Sequence, residues 1–139
     1  FSGCKSLSNI TIPDSLTSIG AWAFDDCSSL RSLVVPNSVT SIDAWAFSGC
    51  KSLSNIIIPD SVTSIGDSAF EDCTSLSSLA IPDSVTCIGF GAFEGCSSLR
   101  DLVIPNSVND IEDRAFEGCN FPDNLKQELI FRFGDKIFE

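Results

Sequence analysis

The residues with the most obvious chemical potential are the cysteines, and six of the seven follow one constant spacing. These six are Cys4, Cys27, Cys50, Cys73, Cys96 and Cys119. A structural zinc site needs cysteines paired at a short spacing, or histidine ligands, and neither is present. The chain has no His, which removes the commonest general base and excludes a cysteine–histidine nucleophile. We therefore expect buried structural thiols that pack as small hydrophobic groups, with disulfides or a metal as the alternatives.

Cys87 lies outside that spacing. It stands where other repeats have Ser18, Ser41 and Ser64, and we expect it to face outward. It is either a reactive thiol, which could also pair with another molecule, or a surface serine that has been replaced without consequence.

Acidic residues dominate the charge, with 19 Asp and Glu against 8 Lys and Arg and a net charge of −11. This balance disfavours nucleic-acid partners and anionic lipid, because both attract basic surfaces. The carboxylates follow prolines and turns, where turn chemistry and solubility explain them, and no calcium-loop motif is present. A carboxylate pair for glycoside hydrolysis stays open, but nothing singles out a pair. We expect no enzyme activity, no metal and no cofactor. We also expect no membrane span, because every apolar run is far shorter than a bilayer-crossing helix.

The same 23-residue spacing organises the rest of the chain. Phenylalanine recurs from Phe1 to Phe116 and proline from Pro13 to Pro105, in step with the cysteines. Five full repeats therefore cover 1–115, and a sixth begins at Phe116. Repeats this short cannot bury their own apolar face, so they must stack on each other.

One repeat predicts two short extended pieces and a tight turn. Ile10 and Ile12 are expected to face inward on a first strand that Pro13 ends, since proline cannot donate to a sheet ladder. Leu16 and Ile19 are expected to face inward on a second extended piece. The spacing of Phe24, Cys27 and Leu30 is that of residues on a single helical turn.

The combined motif, L-x-x-I-x-I-P-x-S-V followed by I-x-x-x-A-F-x-x-C, resembles the leucine-rich repeats of the BspA-like type over residues 1–119. Leu7, Ile10, Ile12 and Ser15 match the first half of such a repeat. The resemblance implies a right-handed solenoid with a parallel sheet on its concave side, short strands or turns on its convex side, and a surface or secreted protein that binds other proteins or host matrix. The many reduced-looking cysteines point instead to a reducing compartment.

The segment 120–139 breaks the repeat and predicts a cap. Its apolar residues have helical spacing, which indicates a helix over about 124–133 that covers the last rung; they are Leu125, Leu129, Ile130 and Phe133. We expect Asp123 or Asn124 as the N-cap and Gly134 as the stop. The amino end shows no such cap. Either further repeats precede it, or the rung at Phe1–Leu7 stacks end to end on a partner or a second copy.

Two columns of side chains are expected to point outward from the first strands, on the concave face. One is polar, and the other is apolar in its middle and borders on Arg31 and Arg100. Both columns are candidate partner-binding residues: Asn9, Ser32, Asn55, Ser78 and Asp101 in the first, and Thr11, Val34, Ile57, Ala80 and Val103 in the second. An exposed apolar stripe with a polar border is typical of a protein-binding surface, although β-branched residues also suit any pleated face. Asn9 additionally lies in a glycosylation sequon.

Trp22 and Trp45 form an aromatic pair on two successive repeats. Later repeats have Ser68, Gly91 and Arg114 at this position, and Phe90 lies one position over. These aromatic residues are either anchors for a partner or packing partners for each other.

The residues thus favour a non-catalytic module that binds a protein partner on the concave face of a solenoid. The alternative is a structural scaffold whose copies stack through the amino-terminal rung.

Overall fold

The computed structural model describes all 139 residues, and its repeats stack as the rungs of a solenoid. The second to fifth repeats each contribute two very short strands, whereas the first contributes only one, and the strand predicted there around Ile10 and Ile12 does not form. The nine strands are β1 (Ser18–Ile19), β2 (Ser32–Val34), β3 (Ser41–Ile42), β4 (Asn55–Ile57), β5 (Ser64–Ile65), β6 (Ser78–Ala80), β7 (Cys87–Ile88), β8 (Asp101–Val103) and β9 (Asp110–Ile111). The predicted parallel solenoid is confirmed.

The second strands of the rungs form one continuous sheet of five parallel strands, in the order β1-β3-β5-β7-β9. Ile19 pairs with Ile42 and Ile42 with Ile65, so the register advances by one repeat per rung. The isoleucine of each pair is buried while its neighbour faces outward. This alternation is the one expected for a strand with one buried face.

The first strands form two separate parallel pairs, β2 with β4 and β6 with β8. In each strand the central residue is buried and the flanking residues are exposed. The two pairs are neighbours in space, yet β4 and β6 are not joined by ladder hydrogen bonds. Nothing in the repeat predicted this interruption.

A file of phenylalanine rings runs through the core. Phe24, Phe47 and Phe70 stack in parallel with 5.3 Å between successive ring centroids. The turn beside them carries hydrogen bonds from Cys27 N–H to Phe24 O and from Leu30 N–H to Cys27 O, both of 3.1 Å. These three-residue steps are consecutive turns, so the spacing that resembles a helical turn does not form a helix.

Leu16 is the one predicted inward residue of the second extended piece that the structure leaves exposed, at 37%. Its counterparts in the following rungs, Val39, Val62, Val85 and Val108, are all buried. Those valines lie between two rungs, whereas Leu16 belongs to the first rung of the chain.

The carboxyl-terminal segment caps the last rung with a helix, α1 (Asp123–Phe133). Its N-cap residue is Pro122, which makes no side-chain cap hydrogen bond, so the predicted N-cap at Asp123 or Asn124 is wrong. Asp123 is instead the first helical residue, where the helix dipole stabilises a carboxylate. Gly134 ends the helix with a φ of 86°, as predicted, and its N–H bonds Ile130 O.

A 3-10 helix at Asp135–Phe138 follows α1 and was not predicted. Arg114 N–H donates to Lys136 O at 2.9 Å and Phe116 N–H donates to Ile137 O at 2.7 Å. The carbonyls of Lys136 and Ile137 accept the hydrogen bonds that the carbonyls of a further rung would accept. Ile137 is fully buried. The segment therefore continues the stacking beyond the fifth repeat. No helix of the structure has the length and apolar character needed to cross a bilayer.

Arg132 fastens α1 to the end of the first-strand column. Its guanidinium donates to Ile104 O at 2.9 Å and to Pro105 O at 3.2 Å. Both carbonyls lie directly after β8, where no further strand donates to them. The side chain thus satisfies backbone acceptors that would otherwise be left at the end of the solenoid.

We expect Arg132→Gln to lower the free energy of unfolding by about 2 kcal/mol, because two charge-assisted hydrogen bonds are lost. Urea unfolding followed by circular dichroism measures the change. Arg100→Gln is the matched control, since Arg100 is exposed and forms no ion pair. Equal stability of the two variants would show that Arg132 does not hold the cap.

A column of left-handed residues, immediately before the cysteines, couples each rung to the next. Its members are Gly3, Asp26, Gly49, Asp72, Gly95 and Gly118, with φ between 56° and 77°. A Cβ at Gly49 would lie 2.7 Å from Asp26 Oδ1, and one at Gly95 would clash even more closely with Asp72 Oδ1. Each aspartate therefore occupies the space above the next residue of the column, which must be glycine.

Gly95→Ala is expected to cost about 2 kcal/mol or more, because the clash with Asp72 adds to the roughly 1–2 kcal/mol cost of a left-handed alanine. In Gly118→Ala the new Cβ would meet nothing closer than 3.4 Å. The free energy of unfolding should therefore fall only by the cost of the left-handed backbone. Adding Asp72→Gly should recover part of the loss at Gly95, as measured by a double-mutant cycle of urea unfolding. Equal losses for the two alanine variants, with no recovery, would contradict the inferred contact.

Candidate binding surfaces

The outward stripe is a column of apolar side chains on the first strands, made of Val34, Ile57, Ala80 and Val103, with Thr11 before it. Val34, Ile57 and Val103 are 63%, 54% and 68% exposed. They alternate with buried Leu33, Ile56 and Leu102, and the strand geometry therefore holds them in one direction. The predicted outward orientation is confirmed.

The polar column beside the stripe is also exposed. Asn9, Ser32, Asn55, Ser78 and Asp101 all face solvent. Arg31 and Arg100 precede β2 and β8 and are exposed as well. The structure thus brings all of the predicted partner-binding residues to one face.

Sequence reasoning missed a notch in this face. Ala80 is the smallest member of the stripe and lies between Ile57 and Val103, at the point where β4 and β6 are not hydrogen-bonded. An open concavity of about 390 Å³ results, lined by Asn55, Ile57, Ser78, Ala80, Asp101 and Val103 among others. The small residue in the column was a visible signal, but the break in the ladder was not.

The Trp pair, Trp22 and Trp45, combines the two predicted alternatives. Their rings stack with 5.1 Å between centroids and planes 5° apart, so they pack on each other. Trp22 is nevertheless 51% exposed and Trp45 is partly exposed. Both adopt left-handed backbone conformations, with φ of 56° and 55°, which are uncommon for bulky residues.

The Trp pair belongs to a larger surface that we call the turn face. It consists of the turns before the cysteine column, at residues 20–26, 43–49, 66–72, 89–95 and 112–118. These turns hold ten of the 19 Asp and Glu residues but only one of the eight basic residues, Arg114. The negative charge is therefore concentrated on one side of the solenoid.

Arg114 shows how this face binds a cation. Its Nη2 donates to Glu94 Oε1 at 3.0 Å, its Nε donates to Glu117, and its guanidinium lies 5.8 Å from the centre of the Phe90 ring. Phe90, one of the predicted anchors, thus packs against a cation of its own chain. Burial raises the pKa of the Glu94 carboxyl, and the positive charge of Arg114 opposes that rise.

Five of the six thiols of the cysteine column, all except Cys4, make the same contact. Cys50, Cys73 and Cys96 are fully buried, and their Sγ atoms donate to the carbonyls of Phe24, Phe47 and Phe70 on the preceding rung at 3.1–3.2 Å. Burial raises the pKa of the Cys50 and Cys119 thiols to about 12. These contacts confirm structural thiols. Cys87 is exposed, as predicted.

Thiol reactivity should therefore separate Cys87 from the column. In native protein at pH 8 we expect Cys87 to be modified fast, a signal that Cys87→Ser abolishes, while the buried Cys50, Cys73 and Cys96 react only when the protein opens. A raised pKa leaves little thiolate at that pH, and burial blocks the reagent. Peptide mass mapping after timed quenching identifies each site. Modification of Cys73 at the rate of Cys87 would contradict the structure.

The stacked parallel rungs, the leucine and isoleucine core and the helical cap define a leucine-rich-repeat protein. The sequence matches the BspA type leucine rich repeat region over residues 1–138, in six copies. The chain therefore belongs to this family. No curated protein matches it.

Solved bacterial proteins share the fold. The leucine-rich repeat protein of T. pallidum is 37% identical, with a TM-score of 0.75 over 77% of this chain and 52% of its own. A leucine-rich cell surface protein of Faecalibacterium prausnitzii is 40% identical, with a TM-score of 0.76 over 83% of this chain and 31% of its own. The pneumococcal vaccine antigen PcpA is 19% identical, with a TM-score of 0.75 over 100% of this chain and 42% of its own, which shows the fold alone. The chain spans about half or less of these proteins.

Proposed function

We propose that this chain is a non-catalytic module of a surface or secreted protein, and that it binds a protein partner through the outward stripe. The observation that carries the proposal is the exposure of Val34, Ile57 and Val103, each more than half exposed, on strands that fix their direction. Branched side chains exposed in a row leave apolar surface in contact with water unless a partner covers them.

The notch over Ala80 suits an apolar side chain of the partner. A side chain seated there would contact Ile57 and Val103 on two sides, while Asn55, Ser78 and Asp101 offer polar groups at the rim. Such an apolar centre with a polar border is the usual anatomy of an interface. The partner that fits best is an extended protein segment with apolar side chains along one side.

The surface or secreted location rests on similarity. The F. prausnitzii relative is described as a cell surface protein and is 40% identical. Family members of this type are typically interaction or adhesion modules, and binding by shape requires no catalytic group. End-to-end association through residues 1–7 stays a separate prediction; Phe1 is 67% exposed.

Selection of displayed 12-residue peptides against the intact chain tests the proposal. We expect selected peptides to be rich in branched and aromatic residues, and to bind Val34→Glu/Ile57→Glu more than tenfold more weakly. The reason is that each buried apolar side chain contributes about 1.5–3 kcal/mol. Titration calorimetry measures the affinities.

Val34→Thr/Ile57→Thr is the matched control, because Thr11 already occupies this column in the first repeat. It should fold like the wild-type chain and lose less affinity than the glutamate variant. Peptides that bind the folded glutamate variant as tightly as the wild-type chain would show that the stripe is scaffolding only.

A further inference from the structure

The turn face has a charge pattern that the chain itself does not neutralise. The structure contains three ion pairs, which join Arg114 to Glu94 and Glu117, and Lys136 to Asp113. All three lie at the carboxyl-terminal end, in the last repeats and the cap. The turns of the first three repeats carry six carboxylates without a cationic partner: Asp25, Asp26, Asp43, Asp67, Glu71 and Asp72.

The Trp pair lies among these unpaired carboxylates. Asp25 N–H bonds Trp22 O at 3.3 Å, and Trp45 N–H bonds Asp67 O at 2.9 Å, so each Trp shares a turn or a ladder bond with an acidic residue. Indole rings attract cations at their faces, and the attraction strengthens where carboxylates supply further charge. A partly exposed indole pair on a face with six carboxylates that lack a cationic partner is therefore complementary to a positively charged group.

The last two repeats show how the acidic turns hold a cation. Arg114 occupies the repeat position of Trp22 and Trp45, and its guanidinium reaches Glu117 of its own turn, Glu94 of the preceding turn and the ring of Phe90. By the repeat register, Asp25 lies relative to Trp45 as Glu94 lies relative to Arg114. The repeat thus places a carboxylate of the preceding turn within reach of this column, at Trp45 as at Arg114.

We propose that the turn face of the first three repeats is a second binding surface, which takes an arginine-rich segment of a partner protein against the Trp pair. Guanidinium groups lie on the indoles, and the unpaired carboxylates accept their hydrogen bonds. Arginine suits the site better than lysine, because its planar group stacks on aromatic rings and pairs with carboxylates through two bonds. This surface is distinct from the outward stripe and does not depend on the function proposed for it.

The chain provides its own optical probe for the test. Trp22 and Trp45 are its only tryptophans and it contains no tyrosine, so intrinsic emission reports on this face alone. We expect hexa-arginine to change the Trp emission at low salt and to bind more tightly than hexa-lysine. Hexa-glutamate and a glycine–serine peptide of equal length should change nothing. The affinity should fall as salt rises, since exposed charges are screened.

Two sets of variants separate this surface from general attraction to an acidic protein, with a labelled hexa-arginine peptide and fluorescence anisotropy as the readout. Trp22→Ser/Trp45→Ser introduces the residue present at Ser68 in the same left-handed conformation, and should weaken binding about tenfold. Asp25→Asn/Glu71→Gln should weaken it severalfold. Asp14→Asn/Asp83→Asn removes the same charge elsewhere, at positions where other repeats have Asn37 and Asn106, and should have little effect.

Several results would overturn the proposal. If the wild-type chain does not bind hexa-arginine, the turn face is only a solvated acidic surface. An equal loss of affinity in the two charge variants would lead to the same conclusion. Unchanged affinity of the folded Trp22→Ser/Trp45→Ser variant for hexa-arginine would show that the indoles do not take part in binding. An emission change with a neutral oligosaccharide but not with hexa-arginine would assign the pair to a different ligand, and self-association detected by light scattering would assign it to a second copy.

Discussion

Each rung of this solenoid depends on its neighbours, because a single repeat is too short to enclose an apolar core. The phenylalanine rings show this most directly, since every ring from Phe24 to Phe93 has a parallel ring on both sides at 5.3–5.7 Å. The thiols and the short strands make their contacts at the same one-repeat step. Stability is therefore a sum of interfaces between rungs, and a single misfit acts on two of them.

That constraint explains which parts of the structure could be predicted. Inward positions such as Ile19 and Phe47 recur in every repeat, and their burial follows from the repeat itself. The outward stripe follows from alternation along the strand. Three other features depend on how two different rungs meet. They are the contact between Asp72 and Gly95, the break between β4 and β6, and the ladder bonds of Lys136 and Ile137. No property of one repeat contains that information.

The cap shows the same division. The apolar spacing around Leu129 and the glycine at Gly134 predicted the helix and its end, because both are local signals. The N-cap was misassigned, since Asp123 and Asn124 follow a proline that already suits the position before a helix. The contacts of Arg132 with the carbonyls of Ile104 and Pro105 join parts of the chain that are distant in sequence. Side-chain caps of that kind follow only from the assembled solenoid.

The positions that stacking leaves free carry the functional signal. The segments 1–10 and 47–56 are identical, so repeats one and three begin in the same way, yet they differ at Trp22 and Ser68. Both residues have the same left-handed backbone, so the fold accepts either and does not require an indole there. A left-handed backbone is less favourable for a bulky aromatic residue than for a small polar one, and the indoles are also partly exposed. The solenoid does not require the indoles, and this is the reason for proposing a contact of the Trp pair outside the chain.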